Sequence, residues 1–231
     1  MKTKPVALVL EISFAILLAG CATPLHKEPS YVSPHFDARE ITHFSVLPTF
    51  DNRADRRLQF EPSYLNWMFQ SRLPLEHKLG RANSGNTLLR KRGYGSSFIE
   101  YGPPDLPKNA FEHLDPAWIK RPGNATGRWL MLFELEDAEE ESSLLRGASV
   151  GVAVNMAIID RETGEVLWRD HDVQIIQLGG PVGNLMMSSQ PLTAVRLVHV
   201  SMRVMLEKLP DRSKLPRAVG PDENVEPRVQ R

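Results

Sequence analysis

The sequence predicts a mixed α/β fold: one twisted sheet of about five strands, flanked by helices and closed by a C-terminal amphipathic helix. Three observations predict it. Val150, Val152, Val154, Met156 and Ile158 alternate with other residues in the period-2 pattern of a half-buried strand. A polar Asp160-Arg161-Glu162-Thr163-Gly164 turn follows, and residues 165–176 run back as the antiparallel partner. Residues 191–209 then place Leu192, Val195, Val198, Met202, Met205 and Leu209 on one helical face, and Pro210 ends the helix.

The earlier elements follow in order. Residues 41–50 read as a strand around Phe44-Ser45-Val46-Leu47-Pro48, with Asp51-Asn52-Arg53 as a polar exit. Glu61-Pro62-Ser63 opens a helix carrying Leu65, Met68, Phe69 and Arg72 at helical spacing, and Pro74 kinks or ends it. Residues 80–86 form a loop, 87–92 a short helix ending at Gly93, and 94–101 a strand broken by Pro103, Pro104 and Pro107. A short helix over 110–119 and a turn at 122–124 lead to a strand over 128–135. There, Trp129-Leu130-Met131-Leu132-Phe133 is apolar enough to be buried on both faces. Residues 179–184 are a glycine-rich linker before the last helix.

The N-terminal stretch has a different character. Lys2 and Lys4 precede an apolar run over 6–18 whose single charge is Glu11, and Leu18-Ala19-Gly20-Cys21 closes it. A basic start, an apolar middle and small residues at the end make a secretory signal peptide over 1–20, too short to span a membrane. Cys21 is the only cysteine in the chain, and it falls directly after the cleavage site. This pattern resembles the lipobox of bacterial lipoproteins. The resemblance implies cleavage between Gly20 and Cys21, acylation of Cys21, and a bilayer as its first partner. Ala22, in place of an aspartate, implies sorting to the outer membrane, facing the periplasm.

Cleavage leaves 26 basic and 27 acidic side chains, close to neutral, so the footprint of a nucleic-acid binder is missing. With Cys21 acylated no thiol remains for a disulfide or a cysteine metal site. Pro24, Pro29 and Pro34 mark residues 22–40 as an extended tether. Pro210, Pro216, Pro221 and Pro227 among charged residues mark 210–231 as a disordered tail, which leaves a periplasmic α/β domain over 41–209.

Two segments carry a second resemblance. Residues 41–52 are similar to the first strand and exit loop of TolB-N-terminal-like domains in envelope lipoproteins. Residues 155–169, with their Asp-x-x-Thr-Gly turn and Val166-Leu167-Trp168, are similar to the late hairpin of that group. The group includes outer-membrane activators of penicillin-binding proteins and the curli secretion lipoprotein. Both motifs are structural, so the resemblance implies a fold more than a function.

Nothing in the chain assembles into a catalytic set. The run Glu134, Glu136, Asp137, Glu139, Glu140, Glu141 reads as a solvated strand end and turn, or as an acidic docking patch; no calcium-loop pattern accompanies it. Arg169-Asp170-His171-Asp172 offers mixed ligands, but strand alternation turns His171 away from both aspartates. No serine sits in a nucleophile elbow, and residues 179–183 lack the Lys-Ser/Thr of a phosphate loop. Arg196, His199 and Arg203 share a helix side as a basic stripe. Trp129 and Trp168 read as core.

The expectation is therefore a non-enzymatic, membrane-anchored binding or assembly factor for another envelope protein, without cofactor or metal. Glu136, Asp137, Glu139, Arg196 and Arg203 are its candidate partner-binding residues. The rivals are an oligomeric secretion-associated lipoprotein and a periplasmic enzyme using the acidic cluster.

Overall fold

A computed structural model describes residues 29–54, 62–66, 68–69, 84–99, 111, 118, 127–143, 147–178 and 190–215 of the chain. Among these residues seven strands form one sheet: β1 (Tyr31–Val32), β2 (His43–Val46), β3 (Phe50–Asp51), β4 (Gly95–Phe98), β5 (Trp129–Ser143), β6 (Gly147–Asp160) and β7 (Val166–Leu178). The helices are α1 (Pro62–Leu65), α2 (Gly85–Lys91) and α3 (Gln190–Lys208), with a 3-10 turn at Arg212–Lys214.

The sheet order is β1-β7-β6-β5-β2-β4, with β3 pairing β5 beyond the end of β2. β2 runs parallel to β4 and β5, while β5, β6, β7 and β1 are successively antiparallel. The sheet is thus mixed, as expected. It has more strands than expected because β1 and β3, of two residues each, are too short to leave a periodic signal.

The sheet has a core on each face. α3 packs on β6 and β7, burying Ala194, Val195, Val198, Met202 and Met205 with Met131, Phe133, Leu135, Val152, Val154, Met156 and Ile158. The smaller core on the other face joins Leu47, Phe50, Leu130, Leu132, Ala157, Ile159 and Trp118. Residues 129–133 are therefore buried on both sides, as their unbroken apolar run predicts. Full burial of such a side chain stabilises by roughly 1.5–3 kcal/mol, so this proximal half of the sheet anchors the fold.

The hairpin turn explains its own sequence. Asp160 accepts from the Glu162 amide at 2.9 Å, and Gly164 N–H donates to the Asp160 carbonyl at 2.7 Å. Gly164 has φ +80°, a left-handed conformation that costs a side-chain-bearing residue ~1 kcal/mol or more. Arg128 closes the unit: its Nη2 donates to the Asp160 carboxylate at 2.6 Å while its guanidinium lies 4.4 Å from the Trp129 ring centre. Burial alone would raise the Asp160 pKa, but the Arg128 hydrogen bonds, the turn amides and the Arg128 charge together hold it below the ordinary carboxylate range.

Both ends of the folded body lie outside the expected limits. Residues 29–40 are not all tether. Ser33 N–H donates to the Leu167 carbonyl at 2.8 Å, the Phe36 ring packs tilted with its centre 5.0 Å from that of Trp168, and Ala38 is buried. The backbone turns at 34–35 and 38–40, with the Phe36 N–H donating to the Ser33 carbonyl at 3.0 Å, and Phe36 and Ala38 bury apolar surface that holds the segment on the sheet. Residues 210–215 are likewise packed: the Tyr94 hydroxyl donates to the Pro210 carbonyl at 2.9 Å, Asp211 caps the 3-10 turn, and Leu215 rests on the core. Arg92, at the end of α2, donates to the carbonyls of Glu207 and Leu209, satisfying the C-terminus of α3.

Some expected features lie outside the described residues: the signal peptide with Gly20 and Cys21, residues 22–28 of the tether, Pro74, most of the 110–119 helix, the 179–184 linker and the tail beyond Leu215.

Candidate interaction surface

β5 runs eight residues past Leu135, where the sequence pattern places its end. The continuation is possible because the strand changes phase. Leu135 sits opposite Val154, but Asp137 sits opposite Ala153, so Glu136 is an inserted residue, a β-bulge. Without it, alternation would turn successive acids to opposite faces. With it, Ala138 lies opposite Val152 and is buried beneath α3, while Glu134, Glu136, Asp137 and Glu139 all reach the face opposite α3.

Three cross-strand rows tile that face. Glu134, Asn155 and His171 form the first, Asp137, Ala153 and Val173 the second, and Glu139, Gly151 and Ile175 the third. Each row passes from an acid on β5 to a side chain on β7. The first is a closed polar network. Asn155 Nδ2 donates to Glu134 Oε2 at 2.9 Å and to Glu136 Oε2 at 3.2 Å, and Asn52 Nδ2 donates to Glu134 Oε1 at 2.7 Å. His171 Nε2 lies 3.5 Å from Glu136 Oε2.

The other two rows are open. Val173 is 42% exposed and Ile175 54%, both β-branched apolar side chains beside acids. Gly151 and Ala153 leave a shallow floor between the two columns. β1 pairs β7 only at Trp168 and Arg169, so among the described residues the rest of β7 is a free edge. Tyr31 extends the apolar strip, with the Arg169 guanidinium 4.8 Å from its ring centre. An uncovered aliphatic strip beside a column of carboxylates is a surface suited to another macromolecule.

The second candidate set lies on the far side of the sheet. Arg196, Val200, Arg203 and Glu207 recur at i, i+4, i+7 and i+11 along α3, all exposed. Arg203 Nε donates to Glu207 Oε1 at 2.7 Å. His199 does not belong to this stripe. It turns inward, where its Nε2 donates to the Tyr64 carbonyl at 3.0 Å, and burial pushes its pKa down. The expected Arg196–His199–Arg203 stripe is therefore an Arg196–Val200–Arg203 stripe. The acidic and basic candidate residues each assemble, but on opposite faces.

Asp170 and Lys208 complete the description. They form a buried ion pair beneath α3, Lys208 Nζ lying 2.8 Å from Asp170 Oδ2, with side-chain exposures of 1% and 4%. Burial raises the Asp170 pKa in spite of the Lys208 hydrogen bond and charge. His171 points to the other face, as alternation predicts. The pair stitches β7 to the last turn of α3 and is structural in position. Among the described residues no group of three His, Asp or Glu is arranged to hold a metal ion.

No family model and no curated protein matches the chain. Several solved structures are similar. The lipoprotein GNA1162 from Neisseria meningitidis has 11% identity and a TM-score of 0.38, over 67% of this chain and 99% of that one. The PelC dodecamer from Paraburkholderia phytofirmans has 12% identity and a TM-score of 0.42, over 78% and 96%. The C-terminal domain of LpoB from Salmonella enterica has 11% identity and a TM-score of 0.28, over 60% and 87%.

Proposed function

We propose that this chain is a lipid-anchored bacterial envelope protein that acts without catalysis, as a binding or assembly factor for another envelope protein. The observation that carries this reading is the position of Cys21: the only cysteine stands where the lipobox pattern requires it. Several acyl chains on one residue hold firmly, since each buried methylene adds ~0.8 kcal/mol. Ala22 favours the outer membrane, facing the periplasm.

Seven residues, 22–28, lie between Cys21 and Pro29. Even fully extended, the eight Cα steps from Cys21 to Pro29 reach at most about 28 Å. An anchor that close confines the domain to a thin layer, where a raised local concentration lets weak contacts suffice. The open face of β5, β6 and β7 offers such contacts: aliphatic side chains for affinity and carboxylates for steering and register.

A photocrosslinking residue at position 175 of the acylated protein, in intact cells, tests this. The expected result is an adduct with an envelope protein, a second copy included, that disappears in a Cys21→Ser chain. No adduct above that control contradicts the reading.

A further inference from the structure

We propose that the partner of the open sheet face is a second copy of this chain, docked by the outer face of its α3. This rests on the reading of that face as a docking surface, and it names the occupant. Two exposed faces of one molecule complement each other in charge and in apolar content. The sheet offers Glu136, Asp137 and Glu139 beside Val173 and Ile175. α3 offers Arg196 and Arg203 about Val200, which is 44% exposed. An exposed valine between two arginines matches an exposed aliphatic strip beside carboxylates.

The dimensions agree. The seven helical steps from Arg196 to Arg203 span about 10 Å, and β5 lies two strand spacings, also about 10 Å, from β7. A helix seated with Val200 on Ile175 brings its arginines within side-chain reach of β5. Among the described residues the side chains of Glu139 and Arg196 have no hydrogen bond or ion pair within the chain, so both charges are available.

The two faces lie on opposite sides of the sheet, so the contact is head to tail. Copy follows copy, and the assembly is a ring where the rotation closes. Edge-to-edge pairing of β7 with itself would leave the α3 arginines unused. The charge pattern selects the heterologous arrangement.

Two differently tagged full-length acylated copies in native envelopes test this, one carrying Ile175→Cys and the other Val200→Cys. A short bismaleimide should join position 175 of one tag to position 200 of the other and build a ladder in a chain carrying both. Glu136→Arg with Glu139→Arg should lower the yield about tenfold or more, as should Arg196→Glu with Arg203→Glu. All four together should restore it, which also shows that the variants fold. No 175–200 adduct, a dominant 175–175 or 200–200 adduct, or a yield indifferent to charge reversal overturns the proposal. If the photocrosslinker at 175 captures only other envelope proteins, self-assembly is wrong and the docking face stands. If it captures nothing, both fall.

Discussion

Replacing Lys208 with methionine removes one partner of the Asp170–Lys208 pair and keeps the aliphatic stem. The two side chains are among the least exposed charged groups described, and Asp170 sits opposite Met156 in the core beneath α3. Loss of one member of a buried pair leaves an uncompensated charge and typically costs 3–5 kcal/mol. Urea denaturation of the soluble Cys21→Ser chain measures this. With m near 2–3 kcal/mol/M, the midpoint should fall by about 1–2 M at pH 7.

The pH dependence carries the mechanism. Burial already raises the folded pKa of Asp170 above 3.8, and removing Lys208 raises it further. A carboxyl with a raised folded pKa is best accommodated below its unfolded pKa and loses stability as pH rises through the folded value. The deficit of Lys208→Met should therefore be full at neutral pH and shrink in acid, where Asp170 is neutral. The double variant Lys208→Met, Asp170→Leu should recover most of the loss. A deficit below about 1 kcal/mol at pH 7, or one independent of pH, refutes the reasoning.

Three further outcomes follow from the same structure. Asp160→Ala removes the acceptor of Arg128 and the cap of the hairpin turn, and should cost about 1.5–3 kcal/mol in the same denaturation assay. Because the folded pKa of Asp160 is lowered, that difference should be present above pH 4 and vanish as pH falls through the folded value. The Tyr94 phenol, pushed up to about 12 by burial, should stay protonated in an ultraviolet titration through pH 11, and its contribution should be lost as pH rises through 12. His199, lowered by burial, should titrate below the ordinary imidazole value of 6.5 in an NMR titration; its contribution is full above 6.5 and falls away in acid.

Most of the sheet was legible because its central strands obey simple periods. Val150 to Ile158 alternate and are buried on alternate positions, and the Asp160–Gly164 turn needs its particular residues for physical reasons. The site was less legible because it depends on a break in the period. Reading residues 134–141 as a strand exit missed the bulge at Glu136, which gathers the acids on one face. Its trace in the sequence is the three-residue step from Leu135 to Ala138, both buried on the helix side. Likewise, spacing alone grouped His199 with two arginines, since i and i+3 share a helix side. The Tyr64 carbonyl decided otherwise, and α1 is remote in sequence. The Asp170–Lys208 pair left no local signal for the same reason.

The fate of Cys21 bears most directly on the anchored-domain account. Intact-mass spectrometry of the protein extracted from envelopes should show a chain that begins at Cys21 and carries acyl chains on that residue. A chain that keeps residues 1–20, starts elsewhere, or bears a free thiol at Cys21 contradicts it.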